Sequence, residues 1–521
     1  MKKIKNILIG TALCAAALVS SSCSDLLDIS QHGVLNYETY YKTDEQIEAA
    51  TAAIYLEAKG FNYDYYIRLM KEMLTDDFYA GGADRGDNID LQQLNEFTFD
   101  TEQDYVQAMF TSLYTLIYKC NVVLGHVSEE QGAVAKRSLA EARVLRAWAY
   151  FDLITIWGNP PVVDHELLPS EYSRPNGTTE ELWTLVEKDL TEALSSGALP
   201  EKSGVNDTQT WRVTKQFAQA LLGKACLWQE KYSEAAEQFD AVVLSGKYAL
   251  YTGNYADMHR NENKHFCESI FETNRVVDEA NPYSYNFSMY YLMINWRVDR
   301  MSGVSGTDLL QTGWGFRVPT KSLYDAFVSD EGENGYRLNQ TLKTYQQVQD
   351  QLGMRVTTNI INEGYFMWKD VPYSADRGTA SDYYYAANLL WMRYAEVLLC
   401  GAEAHLMAGN SAKATEYTNM IRSRAGLAAK ASVTLDDIKL EKRLELCGEG
   451  VRFQDLLRWG EAGKAMANNG KTYPVLQPNG EVVYKDCNNS TYGFKTGKHE
   501  HLPYPATEIR LNSEIKQNPG Y

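Results

Sequence analysis

The sequence predicts an all-α fold in which stacked, antiparallel helix pairs carry one irregular, loop-rich insertion. Three observations point there. Nine stretches, near 44–58, 104–125, 133–157, 179–196, 213–229, 231–245, 390–409, 411–425 and 435–447, place apolar residues three and four apart, the spacing that lays one apolar stripe along a helix. Two segments repeat a common frame of roughly 34 residues, the period of tetratricopeptide-like helix pairs. Between them, from about 250 to 385, the helical period disappears and Gly, Asn, Tyr and Trp dominate.

Taken in chain order, Lys2, Lys3 and Lys5 precede an apolar run from Ile7 to Val19 and then Ser20-Ser21-Ser22-Cys23. The run is far shorter than the roughly 20 residues a membrane span needs, so it reads as an export signal. Small residues directly before Cys23 resemble a bacterial lipobox, in which the thiol is acylated and the chain is anchored to a membrane without crossing it. The acidic residues that follow, Asp25 and Asp28, resemble a surface-export signal of Bacteroidetes lipoproteins. After the first predicted helix, Thr75-Asp76-Asp77-Phe78-Tyr79-Ala80-Gly81-Gly82-Ala83-Asp84-Arg85-Gly86-Asp87-Asn88 has no period and mixes aromatic with hydrogen-bonding residues.

In the first repeat, Leu222-Gly223, Cys226, Ala235 and Phe239 fall at tetratricopeptide spacing, and the small residues let two helices approach closely. In the second, Ala402, His405 and Ala414 keep the same interval, with Thr418 where the large apolar residue is expected. The intervening insertion holds Tyr285, Tyr290-Tyr291, Trp296-Arg297, Gly313-Trp314-Gly315-Phe316 and Tyr383-Tyr384-Tyr385. Irregular, aromatic-rich loops on a rigid helical frame are where a binding site is expected.

Composition narrows the function. Fifty Lys and Arg against 68 Asp and Glu give a net charge of −18, which argues against the basic stripe that nucleic-acid binding requires. The 45% hydrophobic and 23% charged residues are ordinary globular usage. Cys120, Cys226, Cys267, Cys400, Cys447 and Cys487 read as structural thiols, since three of them sit on apolar-periodic segments. The eight His are scattered, with neither HExxH nor CxxC, so no metal or other cofactor is expected. No GxSxG elbow or phosphate loop occurs, and the adjacent pair Asp76-Asp77 would point its carboxyls apart, so an enzyme is not expected.

A sugar site needs apolar faces for the C–H side of a ring and planar polar groups for hydroxyl pairs. Trp296, Trp314 and Tyr79, with Asp77 and Arg85, form such a set, and at least one of the two tryptophans is expected to be exposed.

Several blocks together resemble the SusD/RagB family of Bacteroidetes outer-membrane nutrient-binding lipoproteins. They are Glu141-Ala142-Arg143-Val144-Leu145-Arg146-Ala147 through Trp157-Gly158-Asn159-Pro160-Pro161, then Arg393-Tyr394-Ala395-Glu396 with Ala402-Glu403-Ala404, then Glu441 to Gly460, and finally Leu502-Pro503-Tyr504-Pro505 to Gln517-Asn518-Pro519-Gly520-Tyr521. With the lipobox they run the length of the chain. The resemblance implies a non-enzymatic, surface-exposed lipoprotein of the outer membrane, anchored at Cys23. Such a protein acts as the lid of a SusC-like TonB-dependent transporter and captures oligosaccharides, or peptides in the RagB branch. A surface glycoside hydrolase is the alternative from another class. The resemblance places the ligand arc loosely at Tyr79, Tyr285, Trp296 and Trp314. The expected divisions are a signal at 1–22, a helical region at 23–250, the ligand-binding insertion at 251–385 and a second helical region at 386–521. Ion pairs between the Glu- and Arg-rich helices, and closure of the fold by the terminal QNPGY, are also expected.

Overall fold

The computed structural model of the chain describes residues 40–60, 62–275, 289–377, 385–488 and 491–521. Helices form where the apolar period runs. They are α1 (Asp44–Ala58), α2 (Asp104–His126), α3 (Ala133–Trp157), α4 (Thr179–Ser195), α5 (Lys215–Trp228), α6 (Tyr232–Leu244), α7 (Tyr394–Met407), α8 (Ser411–Arg424) and α9 (Leu435–Leu446). Their starts are chemically marked. Thr43, Thr178 and Thr434 each close a capping box with the residue three further on, and Thr214 caps α5, so backbone N–H groups that lack a helical partner are satisfied.

Consecutive helices pack as antiparallel pairs, and α6 lies directly against α7, so the two repeats are spatial neighbours although the insertion separates them in sequence. A glycine makes each approach possible. A Cβ at Gly223 would fall 2.9 Å from the Phe239 ring, and one at Gly401 would fall 3.2 Å from both Tyr417 and Phe239. This corrects the register expected for the second repeat. Gly401 and Tyr417 keep the spacing of Gly223 and Phe239, and the large residue stands one position before Thr418, whose hydroxyl donates to the Ala414 carbonyl.

Two other expectations are corrected. Residues 389–393 are a strand, Leu389–Arg393, paired antiparallel with Ser269–Thr273, and α7 starts only at Tyr394. A short apolar run that is buried looks the same in a strand as in a helix. The insertion is also more regular than expected, with helices Lys321–Glu331, Tyr336–Thr341 and Tyr345–Leu352 and several two-stranded ladders. Each helix is only two or three turns, too short to display a period.

Buried ion pairs fasten the insertion to the helices. The Arg393 guanidinium is fully buried and donates to Glu268 at 3.0 Å, to Glu445 at 2.6 Å, to Glu449 at 2.8 Å and to the Glu445 carbonyl at 2.7 Å. Arg337 joins the same group through Glu441 at 2.6 Å and Glu445 at 3.2 Å. In the N-terminal half, Arg146 forks onto Asp189 at 2.7 and 2.8 Å, and Glu141 takes Arg212 at 2.7 Å. The Glu- and Arg-rich blocks are therefore structural fasteners. At the C-terminal end, Asn518 donates to the carbonyls of Trp157 and Leu502, and Gln517 bridges both backbone groups of Tyr504, so the last residues close over the end of α3.

Cys120, Cys226, Cys400, Cys447 and Cys487 are free and buried, and Cys267 is free and half-buried. No described helix is long and apolar enough to cross a membrane.

Candidate functional site

The segment 75–88 leaves the helix Arg68–Met73 and runs across the insertion. Its one regular piece, Phe78–Tyr79, pairs antiparallel with Val318–Pro319. The chain then passes over Gly315 so closely that a Cβ at Gly81 would lie 1.9 Å from the Gly315 carbonyl oxygen. Only glycine fits there. The Gly82 N–H donates to the same carbonyl at 2.7 Å, and the Gly82 carbonyl accepts from Ile361 N at 3.2 Å. Gly81-Gly82 thus pins the loop between the 313–318 and 360–361 segments.

Beyond this crossing the loop is held by guanidinium forks. Asp87 accepts from Ala83 N at 2.9 Å and from Arg297 at 3.2 Å, and Arg297 also reaches the Trp314 carbonyl at 3.4 Å. Arg300 donates to Asp84 at 3.0 Å and to the carbonyls of Ala83 and Asn359. On the other flank, Arg85 donates to both oxygens of Glu96, at 2.6 and 2.8 Å, and sits over the Tyr473 ring at 5.6 Å. Tyr79, Arg85, Gln92, Glu96, Thr472 and Tyr473 line a shallow cleft. The Tyr79 phenol is pushed up by burial and by the Glu363 carboxylate beside it. The resulting face offers half-buried aromatic rings, forked N–H donors and carboxylate acceptors on a braced loop.

Of the residues expected to bind ligand, Tyr79, Arg85 and Trp314 flank this loop, with Tyr79 and Trp314 half-buried and Arg85 exposed. Two expectations are corrected. Asp77 is only 1% exposed and accepts from Arg443 at 2.8 Å, while Asp76 takes both arms of Arg452, so the acidic pair locks the loop to the C-terminal helices. Trp296 is 5% exposed, donates its indole N–H to the Met367 carbonyl at 2.9 Å and packs on Phe366. It belongs to a second apolar core with Val298, Val348 and Leu476 and has no ring face to offer. Tyr385 is buried as well, and its hydroxyl accepts from Tyr373 N. Tyr285, Tyr383, Tyr384 and Cys23 lie outside the described residues.

Sequence reasoning missed Tyr473, Glu96, Arg297 and Arg300. Arg297 stands beside Trp296 in the aromatic-rich insertion, but the segment has no period that would say which of the two faces the loop. Tyr473 and Glu96 carry no sequence signal, since only the fold brings them to the loop. A hollow of about 500 Å³ lies elsewhere, between Ala49, Ala53 and Leu56 of α1 and Trp211 and Phe271. Its exposed lining is mostly apolar. Among the described residues, no group of three or more His, Cys, Asp or Glu could hold a metal ion.

Comparison with known proteins places this architecture. The sequence profile of the SusD family matches residues 267–521, and a second profile, described as starch-binding associating with outer membrane, matches residues 22–227. A SusD-like protein of Bacteroides ovatus is 25% identical over 485 residues, covering 86% of this chain and 81% of the relative. The starch-binding protein SusD of Bacteroides thetaiotaomicron is also 25% identical, covering 84% of this chain and 82% of its own length. Among solved structures, a laminarin-binding SusD-like protein superposes with a TM-score of 0.78 at 27% identity, covering 92% of this chain and all of the other. Surface glycan-binding protein A of Bacteroides fluxus does so with a TM-score of 0.75 at 25% identity and the same coverage.

Proposed function

Because this chain belongs to the SusD/RagB family, we propose that it captures oligosaccharides at the cell surface and passes them to a SusC-like TonB-dependent transporter of the outer membrane, whose lid it forms. The observation that carries the reading is the braced loop 79–88, which brings Tyr79, Tyr473 and Trp314 beside the forks of Arg85, Arg297 and Arg300. Aromatic faces take the C–H side of a sugar ring, and planar donors and acceptors take vicinal hydroxyl pairs. A rigid face loses little entropy on binding. Relatives of similar fold that bind laminarin or surface glycans support the ligand class. The proposed role is binding and not hydrolysis, since the adjacent carboxylates of Asp76 and Asp77 are engaged by Arg452 and Arg443.

Truncating a desolvated aromatic anchor typically costs about 2 kcal/mol, roughly thirtyfold in affinity. Trp314→Ala and Tyr473→Ala are each expected to weaken binding in titrations against a panel of laminarin and other oligosaccharides. Binding to no glycan, with binding to peptides instead, would move the protein to the peptide-capturing branch. Release of reducing sugar by the purified protein would point to a hydrolase.

Anchoring follows from the N-terminal reading, and the partnership from the family resemblance. A radiolabelled fatty acid is expected to label the wild type and not Cys23→Ala. The labelled protein is expected to copurify with a large β-barrel from solubilised outer membranes. Equal labelling of both forms would remove Cys23 as the attachment site, and recovery of the lipoprotein alone would remove the lid role.

A further inference from the structure

The charges on the face around loop 79–88 are already spent on one another. Resting on the glycan-binding reading, we infer that the ligand is a neutral oligosaccharide, one without uronate or sulfate groups. A site built for an anionic sugar keeps a guanidinium fork open for the carboxylate or sulfate, because bidentate pairing is what makes arginine selective for such groups. Here each of the three guanidinium groups described beside the loop already carries a carboxylate partner. Arg85 points its Nη2 at both oxygens of Glu96, whose carboxylate is nearly inaccessible. Arg297 lies between Asp87 at 3.2 Å and Asp299 at 3.0 Å. Arg300 is shared by Asp84 at 3.0 Å and two backbone carbonyls.

Three guanidinium groups thus meet four carboxylates, and a further carboxylate, Glu363, stands beside Tyr79. An incoming anion would have to displace a partner and strand a carboxylate, which for buried Glu96 costs the desolvation of an unpaired charge. It would also approach a chain of net charge −18. The exposed Lys471 and Lys485, at and on the hairpin of Thr472–Leu476 and Val482–Asp486 that carries Tyr473, are hydrated point charges, largely screened at physiological salt, and lack the geometry of a fork. A neutral sugar needs no displacement. Its hydroxyls donate to the outer lone pairs of the carboxylates and accept from the outer N–H groups, leaving each ion pair in place.

Affinity electrophoresis of the full-length protein separates the outcomes. The gels would contain laminarin, xyloglucan or galactomannan on one side, and polygalacturonate, alginate or carrageenan on the other, each run at low and at physiological salt. Retardation is expected with at least one neutral polymer and with none of the anionic ones. Asp84→Asn and Glu96→Gln each uncover a guanidinium. At least one of them is expected to gain on the order of tenfold affinity for an anionic polymer, more at low salt than at high. The Asp84 side chain is 75% exposed, so its variant is expected to fold even if Glu96→Gln does not. Tighter wild-type binding to an anionic polymer than to any neutral one would overturn the inference and leave glycan capture standing. So would neutral binding with no anionic gain in either folded variant. Binding to no polymer of either kind would remove the glycan reading itself, and the inference with it.

Discussion

Arg393→Met is expected to lower the stability of the protein by about 3–5 kcal/mol, the usual cost of removing one partner from a buried ion pair. Arg393 alone reaches Glu268, Glu445 and Glu449, and all four residues are buried. Methionine fills much of the volume but leaves three carboxylates short of a partner. Urea denaturation followed by far-UV circular dichroism measures the loss. The acid limb of the stability profile should move as well. Burial by itself would raise the carboxyls of Glu445 and Glu449. The arginines overcome it, with Arg424 and Arg393 leading at Glu445, and Arg393 and Lys369 at Glu449, so both groups are held well below the ordinary carboxylate range. A carboxyl depressed in the folded state contributes stability above its unfolded pKa, near 4.5. That contribution is lost as pH falls through the folded value. The wild type should therefore hold its stability through neutral pH and lose it progressively below about pH 4.5. In Arg393→Met the loss should begin closer to neutrality. A variant that melts like the wild type at neutral pH and keeps the same acid limb would show that Arg393 is not the hub of this cluster.

Trp296→Ala is expected to be comparably damaging, about 3–5 kcal/mol, because it removes a large side chain from a closed apolar core. The indole packs 4.9 Å from Phe366 and 6.0 Å from Trp368, and its N–H satisfies the Met367 carbonyl, which would be left without that donor. The defect should appear in thermal melting. Oligosaccharide affinity of the folded fraction should stay within a few-fold of wild type, the residual loss reflecting movement of Arg297 next door. Trp314→Ala should show the opposite pattern, with affinity lost and melting little changed. A stable Trp296→Ala protein that has lost its ligand would return Trp296 to the binding face and reopen the assignment of the second core.

Trp296 and Trp314 also mark where sequence reading stops. Both stand in a non-periodic, aromatic-rich segment, and nothing local distinguishes them. What separates them is a strand ladder and a carbonyl supplied by residues about 70 positions away. The Asp76-Asp77 pair behaves likewise, since its partners Arg443 and Arg452 arrive from the far end of the chain. Local signals did decide a great deal. The helices, the close approach at Gly223, the acidic net charge and the family blocks were all legible. Each depends on periodicity, spacing or composition over a few turns of chain. The register of the second repeat, the strand at 389–393, the closure of Arg85 onto Glu96 and the arrival of Tyr473 were decided only by tertiary structure. Burial, and the pairing of charges that burial enforces, depend on which distant segments meet, and a sequence read along its own length does not carry that information.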